Sequence, residues 1–210
     1  MIKSKERISE FGEVFTSERE VNAMLDLVGD EAERIESRFL ESACGSGNFL
    51  IEVLNRKIAI VAARYRSSQP DFERYLFLAV TSMYGVDIQL DNIEECRHRL
   101  LVLVESSHKK YFRAPRKGFL ESIGFVLSRN ILHGDALSMT VPGSDEAIVF
   151  SEWSFTRGSY VKRIEYTLAN LLLYQPFEDG GLFSDLGSEA ILPHPLKSHP
   201  ARKFLEISDE

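Results

Sequence analysis

Cysteine is scarce in this 210-residue sequence, and it contains no long apolar run. The two cysteines, Cys44 and Cys96, are too few for a disulfide framework. No run of about 18 apolar residues occurs, which excludes a membrane-spanning helix. The first residues also lack the apolar stretch of a signal peptide. We therefore expect a protein of the cytoplasm that has no membrane partner.

An excess of basic residues is lacking as well. The sequence has 25 Lys and Arg against 32 Asp and Glu, a formal net charge of −7. Such a surface repels phosphate, so any nucleic-acid contact needs a local basic patch and tight autonomous DNA binding is disfavoured. The segment 108–117 is one candidate for such a patch, and a solvated connection between two helices is its other interpretation. Its cations are Lys109, Lys110, Arg113, Arg116 and Lys117.

The sequence does contain an alternation of strand and helix patterns. Hydrophobic residues make up 44% of it and charged residues 27%, which is typical of one globular domain. Ser17 with Glu20, and Asp91 with Glu94, have the spacing of capping boxes at the starts of helices. The spacing of apolar residues predicts helices over 17–28, 48–66, 71–83, 91–107, 118–127 and 164–174, and strands over 38–42, 84–88, 130–135 and 147–150.

This order of elements predicts an α/β fold. Strands that alternate with helices form a mostly parallel sheet with helices on both faces and right-handed connections. We expect a core over residues 1–155, which includes the N-terminal helix, and an irregular tail over 156–210 that packs on this core.

A glycine turn follows the first predicted strand. Gly45 and Gly47 lie at the start of a helix, where backbone N–H groups can meet a ligand and a Cβ would block its approach. A dinucleotide fingerprint would need a third glycine at the position of Leu50, and no phosphate-binding Gly-Lys-Ser/Thr loop exists. NAD, FAD and ATP are therefore poor candidates for the ligand.

Two carboxylates follow the next two strands of the predicted sheet. Asp87 is placed to accept hydrogen bonds from a ribose diol. Asp135 is placed to accept from an exocyclic amine, with Ala136 and Leu137 beside the base. These features suit an adenosine without a pyrophosphate, and S-adenosylmethionine is the common ligand of this kind.

Four motifs in the right order resemble the adenine-N6 DNA methyltransferases, in particular the modification subunits of type I and fused type II restriction-modification systems. The resemblance covers roughly residues 11–150, with Ser42 in place of the usual proline. The motifs are Phe11-Gly12-Glu13-Val14-Phe15-Thr16, the run from Phe39 to Leu50, Tyr84-Gly85-Val86-Asp87-Ile88 with Asn92, Glu95, Cys96, Arg97, Arg99 and Leu100, and His133-Gly134-Asp135-Ala136-Leu137.

The resemblance implies a Rossmann-like S-adenosylmethionine-dependent methyltransferase fold and assigns a cofactor contact to each motif. Phe15 and Thr16 would contact the adenosine and the methionine carboxylate. Asp87 would hold the ribose, and Ile88 next to it is also expected to contact the cofactor. The methionine portion would lie on Ala43, Cys44, Gly45, Ser46 and Gly47, and the adenine on Asp135, Ala136 and Leu137.

The tetrapeptide that carries catalysis in this family is absent. After the fourth strand the family has Asn/Asp-Pro-Pro-Tyr/Phe, whose polar groups hold the target amine and whose ring stacks on the flipped base. This sequence has Ser151, Glu152 and Trp153 in that region, and these residues are our candidates for a replacement catalytic site. The segment 156–210 is also too short for the family's remaining strands and target-recognition domain, so we expect the C-terminal half of the fold to be incomplete.

The sequence is compatible with three functions. The first is adenine-N6 methylation of DNA, with specificity supplied by a partner subunit because the chain is acidic. The second is an inactive S-adenosylmethionine-binding component that regulates or assembles such a system. The third is methylation of a small molecule. A homo-oligomer is left open by the sequence, and no metal-binding spacing of Cys and His occurs.

Overall fold

The structure is a computed structural model, and it describes residues 16–173 and 194–209. The helices are α1 (Glu18–Leu27), α2 (Gly29–Ala32), α3 (Asn48–Tyr65), α4 (Gln69–Thr81), α5 (Leu90–Lys109), α6 (Phe119–Asn130) and α7 (Leu168–Leu173), with a 3-10 turn at Ile207–Asp209. The strands are β1 (Phe39–Glu41), β2 (Met83–Asp87), β3 (Ile131–His133), β4 (Val149–Phe155), β5 (Tyr160–Thr167), β6 (Lys197–Ser198) and β7 (Arg202–Lys203).

The first three strands form a parallel sheet in the order β1-β2-β3. Leu40 of β1 is in register with Tyr84 of β2, and Val86 of β2 with Leu132 of β3. Helices α3 and α4 connect β1 to β2, and α5 and α6 connect β2 to β3. The predicted α/β class is therefore confirmed for the described residues.

The two faces of this sheet are covered differently. On the first face, a Cβ at Gly85 would lie 3.0 Å from Leu50, so α3 packs directly on the backbone of β2. On the second face, Tyr84 packs with Phe150 of β4 and Leu168 of α7, and the rings of Tyr84 and Phe150 are 5.3 Å apart. The second face is thus covered by a strand and a short helix, a reduced form of the predicted arrangement.

The prediction that residues 147–150 continue the parallel sheet is wrong. The strand begins at Val149 and pairs antiparallel with β5 in a second sheet, from Val149 opposite Thr167 to Phe155 opposite Val161. The seven residue pairs of this hairpin stabilise the strand more than a short apolar run at the edge of the parallel sheet would. No described strand lies on the outer side of β1.

The predicted helix over 164–174 is also wrong in its first half. Residues up to Thr167 belong to β5, where buried Val161 and Arg163 alternate with less buried neighbours. Among the described residues of the predicted range, the helical part is Leu168–Leu173. Val, Ile, Tyr and Thr favour an extended strand when a partner strand is available. The described part of 156–210 is accordingly more regular than expected. Residue 155, where the predicted core ends, is the last residue of β4, and the hairpin continues from there into β5.

The N-terminal helix begins as predicted. The Ser17 hydroxyl accepts from the Glu20 amide while the Glu20 carboxylate accepts from the Ser17 amide, which completes the capping box. Val21 and Leu25 of this helix are fully buried in the main core together with residues of α3. No helix within the described ranges has the length and apolar character required to cross a membrane.

A fully buried lysine fixes the amino-terminal edge of the parallel sheet. The Lys57 ammonium donates to the carbonyl oxygens of Ile35 (2.9 Å) and Ser37 (2.5 Å) and to the Ser82 hydroxyl (2.5 Å). These contacts join α3 to the segments that precede β1 and β2. Burial lowers the pKa of Lys57 from 10.5 to about 7.

We expect Lys57 to make stability depend on pH. Because its pKa is lower in the folded than in the unfolded chain, the unfolded chain binds more protons between pH 7 and pH 10, and the folded state gains stability as pH rises. Relative to Lys57→Met, the free energy of unfolding of the wild type should rise by about 2–3 kcal/mol from pH 7 to pH 9. Urea denaturation of both proteins at the two pH values measures this difference, and parallel pH profiles would contradict it.

Candidate functional site

The three strand ends that the sequence singles out lie side by side at one edge of the sheet. The Cys44 amide donates to the Val86 carbonyl (2.9 Å) and the Gly134 amide to the Asp87 carbonyl (3.0 Å), so the ladder continues past the strands. Neighbouring strands are about 4.8 Å apart, so the edge from the glycine turn to Asp135 spans about 10 Å. We call this row of residues after β1, β2 and β3 the carboxyl edge.

The glycine turn has the backbone that the sequence predicts. Gly45 and Gly47 have φ values of +51° and +90°, and Gly47 is the N-cap residue of α3. A Cβ at Gly47 would lie 2.5 Å from the Cys96 sulfur, whereas a Cβ at Gly45 would meet no atom within 4 Å. Gly47 is therefore needed both for its backbone conformation and for the close approach of α5.

Asp87 fastens this turn to the neighbouring strand. Its Oδ2 accepts from the Gly45 amide (2.8 Å), and its Oδ1 accepts from the Gln89 amide (2.8 Å) and the Asn92 side chain (3.3 Å). The helix α5 begins at Leu90, and its N-cap residue is Gln89. The predicted capping box of Asp91 and Glu94 is therefore wrong, because Asp87 already binds the backbone at the start of this helix.

Arg99 is an anchor of the turn to which the sequence assigns no role. Its guanidinium donates to the Ser46 carbonyl (2.6 Å), the Ser46 hydroxyl (3.1 Å) and the Asn48 side chain (2.9 Å). The Asn48 amide in turn donates to the Thr16 carbonyl (3.3 Å). The sequence signals for Arg99 are its place in the third motif and its position two turns after Asn92, since residues at this spacing share a helix face.

A small cleft of about 130 Å³ opens above the turn. Burial raises the pKa of the Glu41 carboxyl, which lines this cleft beside Thr16. Phe15 and the other residues of the first motif before Thr16 lie outside the described residues. The cleft is lined by Thr16, Met24, Glu41, Ala43, Cys44, Gly45, Ser46, Asn48 and Phe49.

The third strand end carries a carboxylate next to apolar side chains. Asp135 Oδ1 accepts from the Leu137 amide (2.9 Å), and this backbone hydrogen bond lowers the pKa of Asp135. The Leu137 side chain is 95% exposed and Ile88 is 48% exposed, and both follow strands of the carboxyl edge. Exposed apolar side chains beside a hydrogen-bonding carboxylate are suited to cover a planar base.

The candidate catalytic residues lie at the opposite edge. Asn130 immediately precedes β3. Its side-chain amide lies 3.3 Å from the Ser151 backbone nitrogen and 3.4 Å from the Trp153 indole nitrogen. Glu152 pairs with Arg38, the residue before β1, at 2.7 Å. The structure therefore does not bring Ser151, Glu152 and Trp153 together with Gly45, Asp87 and Asp135.

Packing accounts for the aromatic member of this set. The Trp153 ring is 8% exposed and makes edge contacts with Phe77 at 6.4 Å and Phe125 at 6.1 Å between ring centroids. The Arg163 guanidinium lies 5.8 Å from the same ring. Trp153 thus fills the interface between the second sheet and the helices, where no base could stack on it.

Neither cysteine is poised for nucleophilic chemistry. Cys44 and Cys96 are both buried, and the thiol contact with Cys96 together with burial raises the pKa of Cys44 well above its ordinary value. A thiol in this state is a poor nucleophile because the thiolate is the reactive form. Within the described residues, no group of three or more His, Cys, Asp and Glu could hold a metal ion.

Comparison of the chain with protein-family models, with curated proteins and with solved structures found no match. The function must therefore be argued from the carboxyl edge itself.

Gly47→Ala should destabilise the chain more than Gly45→Ala. Both replace a glycine with positive φ, at a cost of about 1 kcal/mol each, but only the Cβ at position 47 meets the Cys96 sulfur. We expect an additional loss of about 1–3 kcal/mol for Gly47→Ala in urea denaturation. Combining it with Cys96→Ala should recover part of this excess, and strictly additive effects of the two substitutions would contradict the contact.

Proposed function

We propose that the chain binds S-adenosylmethionine along the carboxyl edge, in a Rossmann-like methyltransferase fold that resembles the adenine-N6 DNA methyltransferases. The observation that carries the proposal is the placement of the glycine turn, Asp87 and Asp135 side by side over about 10 Å. The charged amino-acid portion, the ribose and the adenine of one ligand need three such subsites in this order.

The methionine portion fits the cleft above the glycine turn. A volume of about 130 Å³ accommodates part of a ligand, since pockets for whole molecules of this size measure about 300–1,000 Å³. The Glu41 carboxyl lines the cleft and can accept from an α-ammonium group. The N–H groups at the start of α3 suit the α-carboxylate, because a helix N-terminus favours negative charge.

The ribose fits beside Asp87. A carboxylate has about four lone-pair positions, and Asp87 uses three of them on Gly45, Gln89 and Asn92. One position on Oδ2 is left for a ribose hydroxyl, and the long 3.3 Å contact with Asn92 is the weakest of the three and the one a second hydroxyl would displace.

The adenine fits between the apolar side chains of the edge. Ile88 follows β2 and Leu137 follows β3, and both are exposed. Burying such side chains under a purine is favourable by about 25 cal/mol per Å² of apolar surface. The Oδ1 atom of Asp135 accepts from the Leu137 amide. Because a carboxylate has about four lone-pair positions, Asp135 can still accept from the exocyclic amine.

We propose that methyl transfer by this chain needs a partner, because the candidate catalytic residues lie away from the carboxyl edge in the described structure. Transfer from a sulfonium to an amine is an in-line displacement that depends on positioning and on charge complementarity. Ser151, Glu152 and Trp153 are engaged at the other edge, so they do not hold an acceptor above the cofactor. We therefore propose a cofactor-binding subunit of a DNA methylation or restriction-modification system, whose partner supplies the DNA specificity.

The same observation favours a second candidate function. A chain that binds the cofactor without contributing a residue to transfer can act as a regulatory or assembly component of such a system. The two candidates share the bound cofactor and differ in whether a partner complex transfers the methyl group.

Asp135→Ala should weaken cofactor binding without disturbing the glycine turn. The loss of one hydrogen-bonded acceptor costs about 1–2 kcal/mol, which corresponds to a roughly 10-fold weaker dissociation constant. Isothermal titration calorimetry with S-adenosylmethionine and S-adenosylhomocysteine measures this change. Asp145→Ala removes an exposed carboxylate from the loop before β4 and serves as the matched control, with unchanged affinity expected. Equal affinities of both variants, or no binding by the wild type, would overturn the proposal.

Methyl transfer should separate the two candidates. We expect the chain alone to transfer no radiolabel from S-adenosylmethionine to mixed-sequence DNA, because the candidate catalytic residues face away from the cofactor. Transfer that appears only in a complex purified from the native host supports the subunit, and its absence in a complex that binds cofactor supports the regulatory component. Transfer by the isolated chain would contradict this account of residues 151–153.

A further inference from the structure

A positively charged surface lies far from the carboxyl edge. Helix α5 begins beside Asp87 and runs for 20 residues, or about 30 Å, before the segment 110–118. This segment contains most of the cations of the basic stretch in the sequence. A ligand held there is therefore separated from the cofactor cleft by the length of the helix.

Buried polar contacts fix this segment in place. The Glu73 carboxylate, fully buried in α4, accepts from the Arg116 backbone amide (2.9 Å), the Arg116 guanidinium and the Gln69 side chain (2.8 Å), and lies 3.0 Å from the His108 imidazole. Gln69 also donates to the Ala114 carbonyl (2.8 Å). Because the segment is anchored in the core at several points, its exposed side chains have a defined arrangement.

Two other segments meet it at Phe204. The Arg116 guanidinium lies 5.5 Å from the Phe204 ring, and a Cβ at Gly118 would lie 2.0 Å from the Leu205 carbonyl oxygen. The Phe204 amide donates to the Ser159 carbonyl (2.9 Å) in the turn between β4 and β5. The segment 110–118, the β4–β5 turn and β7 thus form one continuous end of the molecule.

This end gathers exposed cations from distant parts of the sequence. Glu105 and Glu206, two of the nearby acids, are each paired with a lysine of their own, Lys109 and Lys203. The other cations have no carboxylate partner among the residues the structure describes. They are Lys110, Arg113, Lys117, Arg157 and Arg202, all exposed, and we call this set the basic end.

We propose that the basic end binds the phosphodiester backbone of single-stranded nucleic acid. Five exposed cations on a chain with a net charge of −7 create the local patch that phosphate binding requires. Tyr111 lies among them with 40% of its surface exposed and offers a ring on which a base can stack. Stacking and backbone charge together are typical of single-strand binding, and they need no sequence readout.

This binding goes beyond the proposed cofactor site and does not depend on it. A strand on the basic end lies about 30 Å from the carboxyl edge, so it is not the methyl acceptor in the same contact. Binding at the basic end would hold nucleic acid at the end of the molecule that lies away from the cofactor site.

Fluorescence anisotropy with a labelled mixed-sequence 20-nucleotide single strand tests the proposal. Arg113→Gln combined with Lys117→Gln should weaken binding roughly 10-fold at low salt and should flatten the salt dependence. Arg129→Gln combined with Lys197→Gln removes the same charge from exposed sites elsewhere and should change affinity by less than about 2-fold. Tyr111→Ala should weaken single-strand binding by about 5-fold or more.

Equal binding by the two double variants would overturn the proposal, as would tighter binding of the matching duplex than of the single strand. The double variants change exposed side chains, whereas Tyr111→Ala also removes a ring contact with buried Phe72. Thermal unfolding of each variant confirms that the fold is kept. Asp135→Ala should leave nucleic-acid binding unaltered. If the wild type binds single-stranded nucleic acid but not the cofactor, the proposed function fails and the basic end stands. If the two double variants bind nucleic acid equally well, the proposal for the basic end fails.

Discussion

The Asp87 carboxylate holds the candidate site together. It lies at the end of β2 and accepts hydrogen bonds from the glycine turn after β1 and from the backbone at the start of α5. These contacts fix the turn, the strand and the helix relative to each other, with Arg99 holding the far side of the turn. Gly47 belongs to the same arrangement, with a positive φ that glycine adopts readily. Because a Cβ at this position would meet the Cys96 sulfur, α5 can approach the turn only where no side chain is present.

The two edges of the parallel sheet are specialised for different tasks. At the amino-terminal edge, Lys57 and Asn130 use their polar groups on buried backbone and on side chains of neighbouring elements. Such buried polar groups are costly when left without partners, so they favour one packing of the surrounding elements. Trp153 packs near the same edge and stabilises the contact between the second sheet and helices α4 and α6. The carboxyl edge keeps acceptors and apolar side chains accessible, which suits the binding of a ligand.

Much of the carboxyl edge could be predicted from the sequence because its signals are local. Gly45 and Asp87 each follow a buried strand, and parallel topology then brings them together. The position of Trp153 could not be predicted in this way, since it depends on antiparallel pairing with β5, and strand-forming residues alone do not specify the partner strand. The same pairing places Ile164 in a strand, whereas its sequence pattern predicts a helix. Arg99 escapes prediction because its partners lie about 50 residues away along the chain.

The central claim is that the adenosine and the methionine portion of one ligand occupy neighbouring strand ends. NMR spectra of the ¹⁵N-labelled chain during a titration with S-adenosylhomocysteine test it most directly. The account predicts that the amide signals of Gly45, Ile88 and Ala136 shift together with one saturation curve, while the indole signal of Trp153 stays in place. Shifts centred on Trp153, or no shifts at the three amides under saturating ligand, would contradict it.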